Sequence, residues 1–146
     1  MADAETLLNL EEDQVAVAAF LADNGGHLGR DDLDPAVYWL TMRPHAAPQE
    51  RYYARVAWNA YPHSPPSIKF ATDIGGSLSV ASAWPLIPGY RASSFDICRP
   101  LSREGYELHP EWKQGPTAWV TEGNPFLWVT QTLQFHLDNE YQGRAA

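Results

Sequence analysis

Cysteine is almost absent from this chain of 146 residues: Cys98 stands alone, so no internal disulfide can form and a cysteine-rich zinc site is excluded. The five histidines are scattered without an HxxxH-type spacing, and neither a metal nor a cofactor is expected. No apolar run approaches the roughly 20 residues that span a bilayer, and the N-terminus lacks a basic start followed by an apolar stretch. Membrane contact is therefore not expected, and the sequence reads as soluble and cytoplasmic. Basic charge is missing from the front of the chain. Residues 1–35 carry Asp3, Glu5, Glu11, Glu12, Asp13, Asp23, Asp31, Asp32 and Asp34 against Arg30 alone, which places the whole net charge of −8 in that segment. Such a front repels phosphate backbones, which argues against a nucleic-acid partner. It is either a solvated helix face or a dock for a basic protein partner.

Six tryptophans and a hydrophobic content of 45% argue for a packed core, and the length fits one domain, 1–146, without staples. Residues 1–8 and 141–146 read as loose ends. Asn9 with Glu12 forms a capping-box pattern for a first helix whose stripe is Leu10, Val17, Phe20 and Leu21, stopped by Gly25 and Gly26. The runs Val37–Arg43 and Arg51–Trp58 are rich in β-formers, and the second places Tyr52, Ala54, Val56 and Trp58 on one face. The short "PHAAPQE" between them suits a hairpin. Pro62, Pro65 and Pro66 cannot donate to a ladder, so "YPHSPPSIKF" leaves the sheet as a rigid extended crossing and returns as an edge strand at "SIKFA". Residues 72–97 have little periodicity and read as a long ordered loop, a feature more often functional than not. Asn124 and Pro125 make the cap and first turn of a last helix, buried along Phe126, Val129, Leu133 and Leu137 to about Asn139. The fold class is α+β, an antiparallel meander with helices at its ends.

In that order the chain resembles the ubiquitin-conjugating (UBC) fold family, whose members carry ubiquitin-like proteins as a thioester on one cysteine. The resemblance rests on "WNAYPHSPPSIKF", which keeps the family's YPxxPPxxxF spacing at Tyr61, Pro62, Pro65, Pro66 and Phe70. It rests also on "SFDICRPL", similar to the family's GxICLxxL around its nucleophile. It covers about residues 5–140, with Trp119 and the helix from Pro125 in the family's places. The resemblance implies that Cys98 is the thioester carrier and that a ubiquitin-like modifier and an activating (adenylating) enzyme are the partners, the latter docking on the first helix. It also implies that the proline crossing buttresses the sheet edge and holds the active-site loop. Three features depart from the pattern. The family's HPN triplet is replaced by "IPGY", Ile87–Tyr90, the loop before Cys98 is longer than usual, and the first helix is acidic where eukaryotic members tend to be basic. These departures resemble divergent bacterial conjugating enzymes, in which a histidine after the cysteine can replace the missing Asn.

Transthiolation needs a thiolate that both attacks and leaves, which favours a thiol that ionises near ambient pH. Arg99 and Arg103 would favour the thiolate and Asp96 would oppose it. Aminolysis builds charge on the thioester carbonyl oxygen, and a preorganised donor there is worth roughly 3–4 kcal/mol. The candidates are His109, in "ELHPEW", then Tyr90 and Asn124. His109 can instead act as general base, with an unperturbed pKa of about 6.5, or be a surface turn residue. His27, His45, His63 and His136 read as exposed and structural. Lys69 and Lys113 are the two lysines, which suits a carrier of a lysine-reactive thioester but also follows from an arginine-favouring genome. Two other readings stay open: a non-catalytic UBC-like module that binds a ubiquitin-like protein or scaffolds a conjugation complex, and a cysteine hydrolase using Cys98 with His109, for which no third orienting residue is evident.

Overall fold

The computed structural model describes residues 2–146. Helix α1 spans Ala4–Asp23. A four-stranded antiparallel sheet follows, with β1 His27–Arg30, β2 Val37–Met42, β3 Tyr52–Ala57 and β4 Ser67–Ala71 in the spatial order β1-β2-β3-β4. A small hairpin, β5 Tyr90–Arg91 with β6 Asp96–Ile97, leads through Cys98 into the short helix α2, Arg103–Leu108, and α3 spans Pro125–Asn139. The α+β meander with a helix at each end is thus as read from the sequence. No helix is long and apolar enough to cross a membrane among the described residues.

Register makes the core. Tyr38 pairs with Val56 and Val56 with Ile68, while Leu40 pairs with Ala54 and Ala54 with Phe70, so two rows of apolar side chains cross the sheet on one face. All of them are fully buried and share one cluster with Leu10, Val17 and Leu21 of α1 and Phe126, Val129, Leu133 and Leu137 of α3. Helix α1 starts earlier than the Asn9 cap expected from sequence. Asp3 accepts from the Thr6 N–H at 2.9 Å, and Thr6 extends the buried stripe by a turn.

Three further readings are corrected. Strand β1, "HLGR", was not legible: it is a poor β-former, held as an edge strand by its ladder to β2. Helix α2 was missed because six residues give too short a period; the Ser102 hydroxyl caps it, accepting from the Gly105 N–H at 3.1 Å. The ends are not loose. Helix α1 begins at Ala4, with Met1 outside the described residues. The C-terminal tail pairs with the loop, Gln142 N–H to Leu86 O at 2.9 Å, Leu86 N–H to Gly143 O at 2.8 Å and Ala145 N–H to Trp84 O at 2.9 Å. Arg144 lies over the Tyr52 ring at 4.3 Å and bonds the Arg51 carbonyl at 2.9 Å.

The proline crossing leaves the sheet after β3 and returns as edge strand β4, as expected, but it is not extended throughout: Tyr61–His63 form a turn in which the His63 and Ser64 N–H groups donate to Ala60 O at 2.7 and 2.9 Å. Its Tyr61–Pro62 peptide is cis. Tyr61 packs edge-on to Trp58 with ring centroids 4.6 Å apart, and Trp119 Nε1–H donates to the Pro62 carbonyl at 2.9 Å. The crossing also reaches the loop that carries the cysteine. Pro66 O accepts the Arg103 N–H at 2.8 Å, and Ser67 Oγ–H donates to Glu104 at 2.6 Å. Lys69 Nζ donates to the Phe95 carbonyl at 2.6 Å.

Candidate active site

Cys98 sits just past β6, and its backbone is pinned on both sides. Its N–H donates to Gly89 O at 2.7 Å. Gly89 has φ +85°, and a Cβ there would lie 2.9 Å from Cys98 O and 2.6 Å from Arg99 Cδ, so this turn accepts glycine alone. From the other side α2 closes on the next residue: a Cβ on Gly105 would lie 2.0 Å from Arg99 O. Ser102 Oγ–H donates to Ile97 O at 2.7 Å, tying the start of α2 to the strand before the thiol. The side chain itself is free. Cys98 is half-buried, and no hydrogen bond to Sγ is formed among the described residues.

Pro100, two residues on, lines a cleft of about 430 Å³ whose other walls include Pro116, Ala118, Val120, Trp128 and Asn124. The Tyr106 hydroxyl lies 3.2 Å from Pro100 O and 2.5 Å from Thr117 O, joining the chain after the thiol to one wall. The cleft is mostly apolar, with Val120 and Trp128 exposed at 64% and 47%, so it offers an open apolar channel reached from the chain just after Cys98 through Pro100.

The structure gives the predicted partners of Cys98 other attachments. Tyr90 is buried and its hydroxyl lies 2.8 Å from Nδ1 of His136, away from solvent; burial pushes its pKa up. As an oxyanion donor it has no open path. Asn124 faces the cleft but caps α3: Oδ1 accepts the Leu127 N–H at 2.9 Å and Nδ2–H donates to Asp13 O at 3.0 Å. His109 ends α2, stacked on Trp112 with ring centroids 4.2 Å apart, and its Nδ1 lies 2.9 Å from Glu111, whose carboxyl is held below its usual range by that contact. The contact of Glu111 with the His109 ring was not revealed by the sequence. With Nδ1–H donated to Glu111, the lone pair of Nε2 points outward, although no hydrogen bond links the ring to the thiol.

The charges near the thiol are also rearranged. Arg99 does not face Cys98, because its guanidinium turns to the last turn of α3. Nη1 donates to Pro88 O at 2.8 Å and to Glu140 at 3.0 Å, and Nη2 lies 3.0 Å from His136 Nε2. Arg103 pairs with Glu107 at 3.5 Å and lies 3.6 Å from Glu104. Asp96 is neutralised by a two-pronged bond from Arg91, at 2.7 and 2.8 Å. Arg91, which sequence reading passed over, is held above its usual pKa chiefly by Asp96 and lies within electrostatic range of Cys98. The pairing across a two-residue hairpin left no signal in the sequence.

His136 is not the exposed residue the sequence suggested: it is 5% exposed. An arginine can only donate, so Nε2 must accept from Arg99 and the neutral ring carries its proton on Nδ1, donated to the Tyr90 oxygen. Burial first, then the Arg99 charge, lowers its pKa to about 4. His27, His45 and His63 are exposed, as read. The acidic face of α1 is largely solvated, with Glu5, Glu11 and Glu12 exposed, but Asp13 is drawn inward to accept from the Tyr61 hydroxyl.

Compared with protein-family models, curated proteins and solved structures, the chain matches none.

Proposed function

We propose that this chain is a divergent, bacterial-type ubiquitin-like conjugating protein in the UBC-like manner, cytoplasmic, with Cys98 as the thioester carrier. One observation carries the reading: a half-buried thiol without a hydrogen-bond partner among the described residues, on a backbone pinned at Gly89 and Gly105, two residues before the Pro100 that lines an open apolar cleft. A core cysteine would be enclosed by apolar side chains, whereas a carrier needs a fixed backbone and an approachable sulfur. In the first step Cys98 Sγ attacks the thioester carbonyl of a modifier carried by an ATP-driven activating enzyme. A new C–S bond forms, the old one breaks, and the activating enzyme's cysteine leaves as thiol. In the second step a target amine attacks, an amide forms, and Cys98 is released as thiol. The cleft takes the extended end of the modifier, and the acidic face of α1 receives the activating enzyme. His109, oriented by Glu111, is the base for the incoming amine.

A second reading has its own support. Tyr90 and Asn124 are committed elsewhere, and a site without an oxyanion donor suits a module that binds a ubiquitin-like protein without reacting. Intact mass after incubation with an activating enzyme, ATP and a ubiquitin-like protein separates the two. A gain equal to the modifier mass, removed by a thiol reductant and absent in Cys98→Ala, is expected. With Cys98→Ser the gain should persist as an ester that the reductant leaves in place. No gain beside an activating enzyme that loads itself would leave the binding module.

A further inference from the structure

We infer that Arg99 is a positioning residue for Cys98, through which the last turn of α3 sets the exposure and geometry of the thiol. The inference rests on the reading of Cys98 as the working nucleophile and names what holds it. Three carbonyl or carboxylate oxygens and one imidazole nitrogen converge on a single guanidinium: Pro88 O at 2.8 Å, Glu140 at 3.0 and 3.4 Å, and His136 Nε2 at 3.0 Å. Pro88 and Arg99 bracket the contact that fixes the thiol's backbone, because Gly89 O holds the Cys98 N–H at 2.7 Å. The aliphatic part of Arg99 packs directly on Gly89, leaving no room for a Cβ. The far side of the imidazole is fixed in turn by Tyr90 at 2.8 Å, the residue that follows Gly89. The loop before the thiol and the residue after it are thus clipped to α3 at Glu140 and His136.

The loop needs such a clip. Its hairpin has two residues per strand, too few to fix a backbone alone, and Arg99, beside the Tyr90–His136 bond, ties the loop carbonyl of Pro88 to Glu140 and His136 at the end of α3. A lysine could reach one of the acceptors but cannot present the planar fork that holds them together. The charge faces Glu140 rather than the sulfur, so the effect on the thiol is through position.

Iodoacetamide alkylation of Cys98 in the free, folded protein tests this without modifier or activating enzyme. The rate is followed across pH to its plateau, where the thiol is fully ionised. Arg99→Ala should raise the plateau rate about tenfold, the equivalent of losing one hydrogen bond to a charged group. Arg99→Lys should fall between it and wild type. Glu140→Ala should accelerate alkylation similarly, and the double variant should be no faster than Arg99→Ala alone, since both break one clip. Plateau rates within about twofold of wild type, or effects of the two changes that multiply, would overturn the inference. A role in stability alone would lower the melting temperature and leave the plateau unmoved, which also overturns it. Should Arg99→Ala fail to fold, Arg99→Lys and Glu140→Gln carry the same test. A clipped thiol that never loads in the mass experiment would defeat the conjugation reading and leave this inference standing.

Discussion

At its first turn α3 is held by a tyrosine, and at its last turn by an arginine. The N-terminal anchor is Tyr61, 1% exposed and edge-on to Trp58, with its hydroxyl donated to Asp13 and accepting the Phe126 N–H at 3.2 Å. Phe126 completes the cluster, 5.0 Å from Tyr38 and 5.5 Å from Trp58 between ring centroids. Here a single polar thread runs through a dry aromatic packing. The C-terminal anchor reverses the proportions: a guanidinium, an imidazole and a carboxylate meet with Tyr90, and Arg99 and Glu140 are 26% and 29% exposed. Apolar burial makes the first end a source of stability, whereas charged groups near solvent contribute little net energy but fix direction. That division places the thiol at the end which can be adjusted without unfolding the core.

The largest expected effect lies at the first end. Tyr61→Ala removes a fully buried aromatic ring and leaves Asp13 and the Phe126 N–H without their partner, and should cost about 3–5 kcal/mol in denaturant unfolding. Tyr61→Phe, which keeps the ring, should lose about 1–2 kcal/mol. A Phe variant as damaged as Ala would mean that the polar thread, not the packing, anchors this end.

The second prediction concerns the other end. His136 in the folded chain takes up a proton at about 4 rather than at its ordinary 6.5. As pH falls below 6.5 the unfolded chain binds that proton and the folded chain does not, so stability present above 6.5 is lost progressively down to 4 and then levels off. The loss attributable to this ring is about 3 kcal/mol. Carboxylates such as Asp31 and Glu140, whose pKa values are lowered by Trp39 and Arg99, also cost stability in acid. Unfolding of His136→Gln beside wild type from pH 7 to 4 isolates the imidazole, because those carboxylates are common to both. Parallel curves would mean that the ring takes up its proton in the fold as readily as in the unfolded chain, and that neither burial nor Arg99 holds it neutral.

The two ends also differ in how far they could be read from sequence. Asn124-Pro125 announces a helix start by local chemistry, and the Tyr61 to Phe70 prolines announce a departure from the sheet, because caps and prolines act on their own backbone. The stripe of α3 and the alternation of β3 were legible because periodicity is also local. Nothing local says that Arg99 turns away from Cys98 to a glutamate 41 residues on, or that Arg144 reaches back to Glu50 and Arg51. Tyr90 was picked out as a donor to the reaction because of its place before the cysteine; its partner, His136, is set by tertiary packing. Cys98 was singled out because its flanking residues carried the resemblance, and the cleft was not legible, since the fold brings Pro100 against the stretch from Pro116 to Trp128.

The smallest effect separates the two jobs open to Asn124. As a cap its Oδ1 accepts the Leu127 N–H, and as a brace its Nδ2–H holds the Asp13 carbonyl of α1. Asn124→Ala removes both and should cost about 1 kcal/mol, the usual value of a lost N-cap. Asn124→Ser keeps an oxygen at capping distance but cannot reach α1, so it should recover most of that loss if the cap dominates. A serine variant as unstable as alanine would assign the energy to the brace, and would make the first end of α3 a joint between two helices rather than a capped terminus. Either result leaves the clip on Cys98 intact, because it runs through the opposite end of the helix. Alkylation of Cys98 should therefore be unchanged in both variants, the counterpart of its acceleration in Arg99→Ala.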